Sequence, residues 1–194
     1  MGKIRNGKLL YHLTKLSNLD SIIEKGLVSR YMLEKTQATF GDVADSQIMS
    51  RRKEFGLDRY IPFHFHPYSS FDVIVKNTHP NDEFIYICIN RTLARDNDFL
   101  ILPKHPLSVE EVRLLSFDDG MNEIDWDAME SSSTLSDYYK QVRMAECLTD
   151  KVVPVNCFQS IAVRTQDVKV IVEQKLQGLI GSTPYVDIQP WLNI

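Results

Sequence analysis

The sequence predicts an α+β domain: a mixed, partly antiparallel sheet flanked by helices. Three observations carry this. "YIPFHFHPYSSF" alternates Ile61, Phe63 and Phe65 with Pro62, His64 and His66, the period of two expected of a half-buried strand. "GKLLYHLT" followed by "KLSNLDSIIEKGL" reads as strand, turn and helix. Strand-like and helix-like stretches are then interspersed along the chain, without the regular alternation of a parallel α/β fold.

Taken in order, the first strand is an apolar run rich in Leu and Tyr, bounded by Gly7. The helix after it is expected to start at a capping box of Ser17 and Asp20, to bury Leu19, Ile22, Ile23 and Leu27, and to end at Gly26. Residues 31 to 59 read as helical in parts, interrupted at Gly41 and Gly56, with partial disorder expected from Met32 to Gly56. "EFIYICINR" is a strand more nearly buried throughout, and "FLILP" a shorter one. From Phe117 to Asp137 the chain turns acidic and Ser-rich, which predicts surface loop with a short helix around Ile124 to Met129. "YYKQVRMAECL" fits the end of a helix or the start of a strand, and "CFQSIAVRT" fits a strand. "DVKVIVEQKLQGLIG" predicts a helix capped by Asp167 and ended by Gly178 or Gly181, and "YVDIQPWLNI" a last extended segment.

At 194 residues the chain supports one sizeable core, so residues 1 to 194 are read as a single domain. Its 43% hydrophobic and 25% charged residues are those of an ordinary globular protein. Three cysteines without C-x-x-C spacing suggest neither a disulfide framework nor a structural zinc site, and a reducing cytoplasm fits them. The N-terminus lacks a signal-peptide core, and no stretch reaches membrane-spanning length. The net charge of −4 hides an asymmetry. Residues 1 to 66 hold 11 Lys and Arg against 7 Asp and Glu, whereas residues 67 to 194 hold 11 against 19. The densest basic stretch, "SRRKEFGLDR", would steer a phosphate-bearing ligand or serve as a solvated helix face.

Candidate chemistry is sparse. His64-x-His66 places two imidazoles on one strand face, but a third metal ligand is hard to name, so no metal is expected. The phosphate-binding glycine loops are missing. Cys147 has no histidine nearby in sequence and reads as inert. "QVRMAECLTDKVVP" is the exception, because it sets Glu146 among Met144, Leu148, Val152 and Val153. A carboxylate in apolar company is either aimed at solvent or held for a purpose.

Read together, several segments resemble the DarT family of toxins, ADP-ribosyltransferases that use NAD to modify bases in single-stranded DNA. "YHLTKLSNLDSIIEKGLVSR" is similar to the family's opening at Tyr11, His12, Leu13 and Thr14, then at Asn18, Leu19, Ile22, Ile23, Gly26 and Leu27. "QIMSRRKEF" looks like its Ile-x-x-Arg-Arg stretch, "RYIPFHFHPYSSF" its Tyr-Val-Pro-Phe-Tyr-Phe strand, and "EIDWDAM" its Asp-Trp segment. "VRMAECL" resembles the stretch that carries the family's catalytic glutamate. These occur in the family's order along nearly the whole chain. His64 departs from the family strand, where Tyr is usual.

The resemblance implies an ADP-ribosyltransferase-like split sheet, NAD as co-substrate without a metal, and Glu146 as catalytic carboxylate. Arg51, or Arg52 if the register shifts by one, would act beside it, binding phosphate or assisting the base. His12, Thr14, Asn18 and Arg52 would hold NAD. Arg59, Tyr60 and His64 would meet DNA, with Tyr68 and Phe71 as further stacking candidates. The acceptor base, thymine or guanine, stays open. The implied partners are single-stranded DNA and a macrodomain-type antitoxin, DarG-like, that reverses the mark. Membranes are not expected partners. RNA 2′-phosphotransferases open similarly and give an alternative, as do transfer to another acceptor and a non-catalytic nucleotide-binding module.

Overall fold

The most apolar run in the chain, Phe84 to Ile89, becomes an interior strand buried along its whole length. The computed structural model describes residues 3–37, 40–41, 46–67, 69–108, 111–131, 136–179 and 181–189, and places seven strands in one sheet. They are β1 (Leu9–Lys15), β2 (Ile61–His64), β3 (Phe84–Asn90), β4 (Leu100–Leu102), β5 (Glu146–Thr149), β6 (Ser160–Val163) and β7 (Tyr185–Ile188). Their order across the sheet is β4-β5-β2-β1-β3-β6-β7, antiparallel throughout except for the parallel pair β6 and β7. The helices are α1 (Leu19–Lys25), α2 (Arg30–Lys35), α3 (Ser46–Glu54), α4 (Ser70–Thr78), α5 (Arg91–Asp96), α6 (Phe117–Glu123), α7 (Trp126–Glu130), α8 (Asp137–Arg143) and α9 (Gln166–Leu176). The sheet is mixed, as expected.

One joint in this sheet matters for everything that follows. β1 and β3 pair along their full length, from Leu9↔Asn90 to Lys15↔Phe84. β1 and β2 share a single rung, Tyr11↔His64. Past it, the His12 side chain rather than its backbone reaches the Pro62 carbonyl, at 2.8 Å. The sheet is therefore split between β1 and β2, and the split opens a cleft.

The main core fills one side. Leu10, Phe63, Ile87, Ile101, Cys147 and Ile161 from the strands meet Leu19 and Ile22 of α1, Trp126 and Met129 of α7, Val142 of α8, and Val168 and Val172 of α9. Smaller clusters lie elsewhere: Leu13, Val75, Tyr86 and Ala162 in one, Leu57, Leu102 and Leu148 in the other. Strand β5 thus alternates, sending Cys147 to the main core while Leu148 joins the third cluster.

Several local expectations are corrected. Ser17 and Asp20 form no capping box, because Ser17 lies within the 3-10 turn Leu16–Asn18 and α1 starts after it, at Leu19, with Asn18 at its N-cap. Gly26 does end that helix, with φ at +79°, and an added Cβ would press 2.9 Å from the Val153 carbonyl. A capping box forms instead at Ser69 and Asp72, starting α4, a helix not foreseen in the run after Pro67. The cap of α9 is Thr165 rather than Asp167. The short helix expected around Ile124 to Met129 is α7, but the segment before it is not surface loop: it forms α6, and the two helices bury Phe117, Gly120, Trp126, Ala128 and Met129. Gly120 lies so close to Ile101 that a side chain there would collide with it. Of the segment expected to be partly disordered, both flanks are helical, and residues 38–39 and 42–45 lie outside the described residues. Tyr68, the side chain of Phe71 and residues 190–194 lie outside them as well.

Candidate active site

The cleft at the split is lined by β1, α1, the Leu27 to Arg30 segment, α3, β2 and the start of β5. Glu146 is the first residue of β5, and its Cα partner is His64 on β2. The preceding helix α8 stops at Arg143, and Ala145, fully buried, anchors the turn between them in the main core. That anchoring leaves Glu146 facing the cleft.

Arg52 meets it there. Arg52 Nη1 donates to both Glu146 carboxylate oxygens, at 2.7 and 2.8 Å, across 94 residues of sequence. Its Nη2 donates to the Leu57 carbonyl at 3.4 Å, so the guanidinium also ties α3 to the 3-10 turn Leu57–Arg59. Burial pushes the Glu146 carboxyl up, but the charge of Arg52, with His64, the Arg52 hydrogen bonds and His105, outweighs burial and holds it below the ordinary carboxylate value. The carboxylate is ionised at neutral pH. It is also fixed in orientation, which a charge exposed to water would not be.

On the other wall, burial lowers the His12 pKa to about 4, with further lowering from His64 and Arg52 against the opposing bond to Pro62. The ring is neutral at physiological pH. Because a carbonyl only accepts, Nδ1 carries the proton toward Pro62, and Nε2 is left as an acceptor. His12 also packs on Phe63, with ring centroids 5.6 Å apart. Thr14 is buried and accepts from Asn18 Nδ2 at 3.1 Å. Asn18 grips Gly41 at both backbone groups: Nδ2 donates to its carbonyl at 2.9 Å, and the Gly41 N–H donates to Oδ1 at 2.7 Å.

The residues singled out in the sequence therefore separate. His12, Thr14, Asn18, Arg52, Tyr60, His64 and Glu146 all line the cleft. Arg51 and Arg59 do not. Arg51 turns outward, donating to Glu54 at 2.8 Å and lying 4.2 Å from the Phe55 ring centroid. Arg59 is exposed over the ring of Tyr31, in a separate depression that also holds Lys35 and Lys53. His105, not singled out in the sequence, lines the cleft together with Glu146. Its backbone N–H is held by the Gln141 carbonyl at 3.0 Å, a long-range contact that no local pattern announces. Cys147 faces the core, where burial pushes its thiol up and leaves it unreactive. Among the described residues no group of three or more His, Cys, Asp or Glu side chains is arranged to hold a metal ion, and no helix is long and apolar enough to cross a membrane.

A family model described as "ssDNA thymidine ADP-ribosyltransferase, DarT" matches residues 11–193. The solved structure of Thermus sp. 2.9 DarT in complex with ADP-ribosylated ssDNA has a TM-score of 0.80 at 20% identity, over 94% of each chain. Thermus sp. 2.9 DarT in complex with NAD+ has a TM-score of 0.74 at 17% identity, covering 95% of this chain and 96% of that one. Thermosipho africanus DarTG in complex with ADP-ribose has a TM-score of 0.76 at 21% identity, over 95% of this chain and 50% of the longer one. These structural likenesses establish the fold. No curated protein sequence matches the chain.

Proposed function

Since the chain belongs to the DarT family of single-stranded DNA ADP-ribosyltransferases, we propose that it transfers ADP-ribose from NAD to thymidine bases, with Glu146 as the catalytic carboxylate. The observation that carries the reading is the buried contact between Arg52 and Glu146 at the split of the sheet. Breaking the bond from ribose to nicotinamide leaves positive charge on the ribose, and an ionised carboxylate fixed in a poorly solvated cleft stabilises that charge as it develops. The same carboxylate is suited to accept the proton lost by the attacking base. Arg52 would keep Glu146 charged and oriented, whereas Arg51 is directed to Glu54 outside the cleft. His12 Nε2 would accept from a ribose hydroxyl or the nicotinamide amide, beside Thr14. Asn18 would act on NAD through the Gly41 segment it holds.

Tyr60 and His64 lie where an unpaired base would approach Glu146, and Arg59 would take the strand outside the cleft. The family description favours thymidine over guanine as acceptor. Residues 1 to 194 would act as one catalytic domain, as the toxin of a pair whose antitoxin is a macrodomain-type hydrolase, in the cytoplasm. The RNA 2′-phosphotransferase and binding-module alternatives recede with the family match over residues 11–193.

The test is mass spectrometry of single-stranded oligonucleotides, one without thymine and one without guanine, after incubation with the protein and NAD. One added ADP-ribose is expected on the guanine-free strand alone, and none with Glu146→Gln. Modification of the thymine-free strand would move the acceptor to guanine. Nicotinamide release without DNA modification would redirect the search to RNA or protein.

A further inference from the structure

We propose that Arg91 is a positioning residue for the candidate active site: its guanidinium holds β1 and β2 at the spacing that sets Glu146 opposite His12. For its bearing on activity the inference rests on the reading of Glu146 above. The spacing itself does not depend on that reading.

β1 and β2 touch at one backbone rung, Tyr11↔His64. On one side of it His12 donates from Nδ1 to the Pro62 carbonyl. On the other side a continued ladder would set Leu10 against Phe65 and Leu9 against His66, but among the described residues the backbones do not pair there. The Arg91 side chain bridges the strands instead. Its Nε donates to the Leu9 carbonyl and its Nη2 to the Phe65 carbonyl, each at 3.1 Å. Nη1 donates to the Arg5 carbonyl at 3.0 Å, which ties in the 3-10 turn Ile4–Asn6.

Arg91 is 7% exposed, and among the described residues no carboxylate pairs with it. Its partners are three neutral carbonyls and the rings of Phe65 and Trp126, whose centroids lie 5.1 and 5.8 Å from the guanidinium carbon. Burial lowers its pKa to about 10, so it stays charged at neutral pH. A desolvated charge without a counter-charge costs stability, and an apolar side chain would fill the same space at less cost. What an apolar side chain lacks is a rigid fork of donors. The fork is itself anchored, because Arg91 opens α5 directly after β3 and its backbone N–H donates to the Lys8 carbonyl at 2.8 Å. The well-paired half of the sheet thus reaches across the split to grip β2.

β2 carries β5 with it. Four pairs, from Ile61↔Thr149 to His64↔Glu146, join these strands as one unit. A shift of β2 against β1 therefore moves Glu146 against His12 across the cleft that both line. A displacement of about 1 Å at a reacting centre is worth up to about 100-fold in rate.

The experiment compares the full chain with Arg91→Met and Arg91→Lys, and with Arg95→Met on the same helix, whose guanidinium pairs with Asp118 at the surface. Two quantities are measured: ADP-ribosyl transfer at saturating NAD, divided by the folded fraction from urea unfolding, and the titration of the His12 ring by NMR. Arg91→Met is expected to lower the corrected rate roughly 10- to 100-fold. It should also raise the His12 pKa from about 4 toward the ordinary 6.5, since burial is the main cause of the low value. Lysine keeps the charge but not the fork and should fall between, while Arg95→Met should match the wild type in both. A rate loss accounted for by unfolded protein would leave Arg91 a stability role alone and overturn the proposal. A corrected loss with His12 unmoved, or a moved His12 at full rate, would overturn it as well. A wild type without transfer would instead overturn the proposed function, and the His12 titration would still decide the spacing. Should Arg91→Met fail to fold, Arg91→Lys against the wild type carries both measurements.

Discussion

Arg51 and Arg52 are neighbours on one helix, and each holds a glutamate at nearly the same distance, 2.8 Å for Glu54 and 2.7 Å for Glu146. Their surroundings differ. The side chains of Arg51 and Glu54 are 33% and 62% exposed, whereas those of Arg52 and Glu146 are 11% and 5% exposed. Distance does not distinguish the pairs; loss of water does. An exposed pair exchanges one set of partners for another at little net gain. A buried pair has given up its hydration, so each charge depends on the other.

The comparison breaks most severely at Glu146. Glu146→Gln is expected to lower ADP-ribosyl transfer by about 10²- to 10³-fold, the scale for losing a fixed group opposite developing charge. The readout is oligonucleotide mass, and Glu54→Gln should leave it within about twofold; equal losses in both variants would dissolve the contrast. Next is stability. Arg52→Ala leaves a buried carboxylate without its partner and should cost about 3–5 kcal/mol in urea unfolding.

Acid sharpens the contrast by another route. His12 has a folded pKa of about 4 against its ordinary 6.5, so the unfolded chain takes up the proton first. Stability is therefore full above the unfolded value and declines as pH falls from 6.5 toward 4. Glu146, also lowered, adds its own loss as its carboxylate is protonated at the acid end. Urea midpoints measured from pH 7 to 4 should show this decline, and His12→Gln should flatten its upper part. A wild-type midpoint constant over that range would contradict the buried, neutral ring. The smallest effect is expected from Arg51→Ala, under about 1 kcal/mol in the same urea assay, because water replaces what Glu54 supplied.

What the sequence could tell follows from how far each signal reaches. The alternation of Ile61, Phe63 and Phe65, and the apolar run from Phe84, are local patterns, and both became strands. Glu146 stood out because its neighbours are apolar, and its setting in the fold explains why. Which arginine would meet it was not legible, since adjacent helix positions differ by about 100° in direction and only the docking of α3 on the 3-10 turn Leu57–Arg59 selects one. His105 was lost for the same reason, as a loop residue brought in by α8. The short helix at Trp126 and Met129 was legible, but α6 was not, because its acidic residues outnumber its apolar ones and masked the burial of Phe117.

The order of synthesis meets the split sheet in a particular way. β1 and β3 can pair once Asn90 has emerged, giving two of the seven strands and one wall of the cleft. β2 has its single rung to β1, but its main partner β5 begins at Glu146, the arginine's own counterpart. Until three-quarters of the chain has been made, Arg52 has no carboxylate to hold and the cleft has one side. A nascent chain therefore passes through most of its translation with the cleft unassembled, and a truncated product ending before Glu146 would lack both β5 and the carboxylate proposed as catalytic.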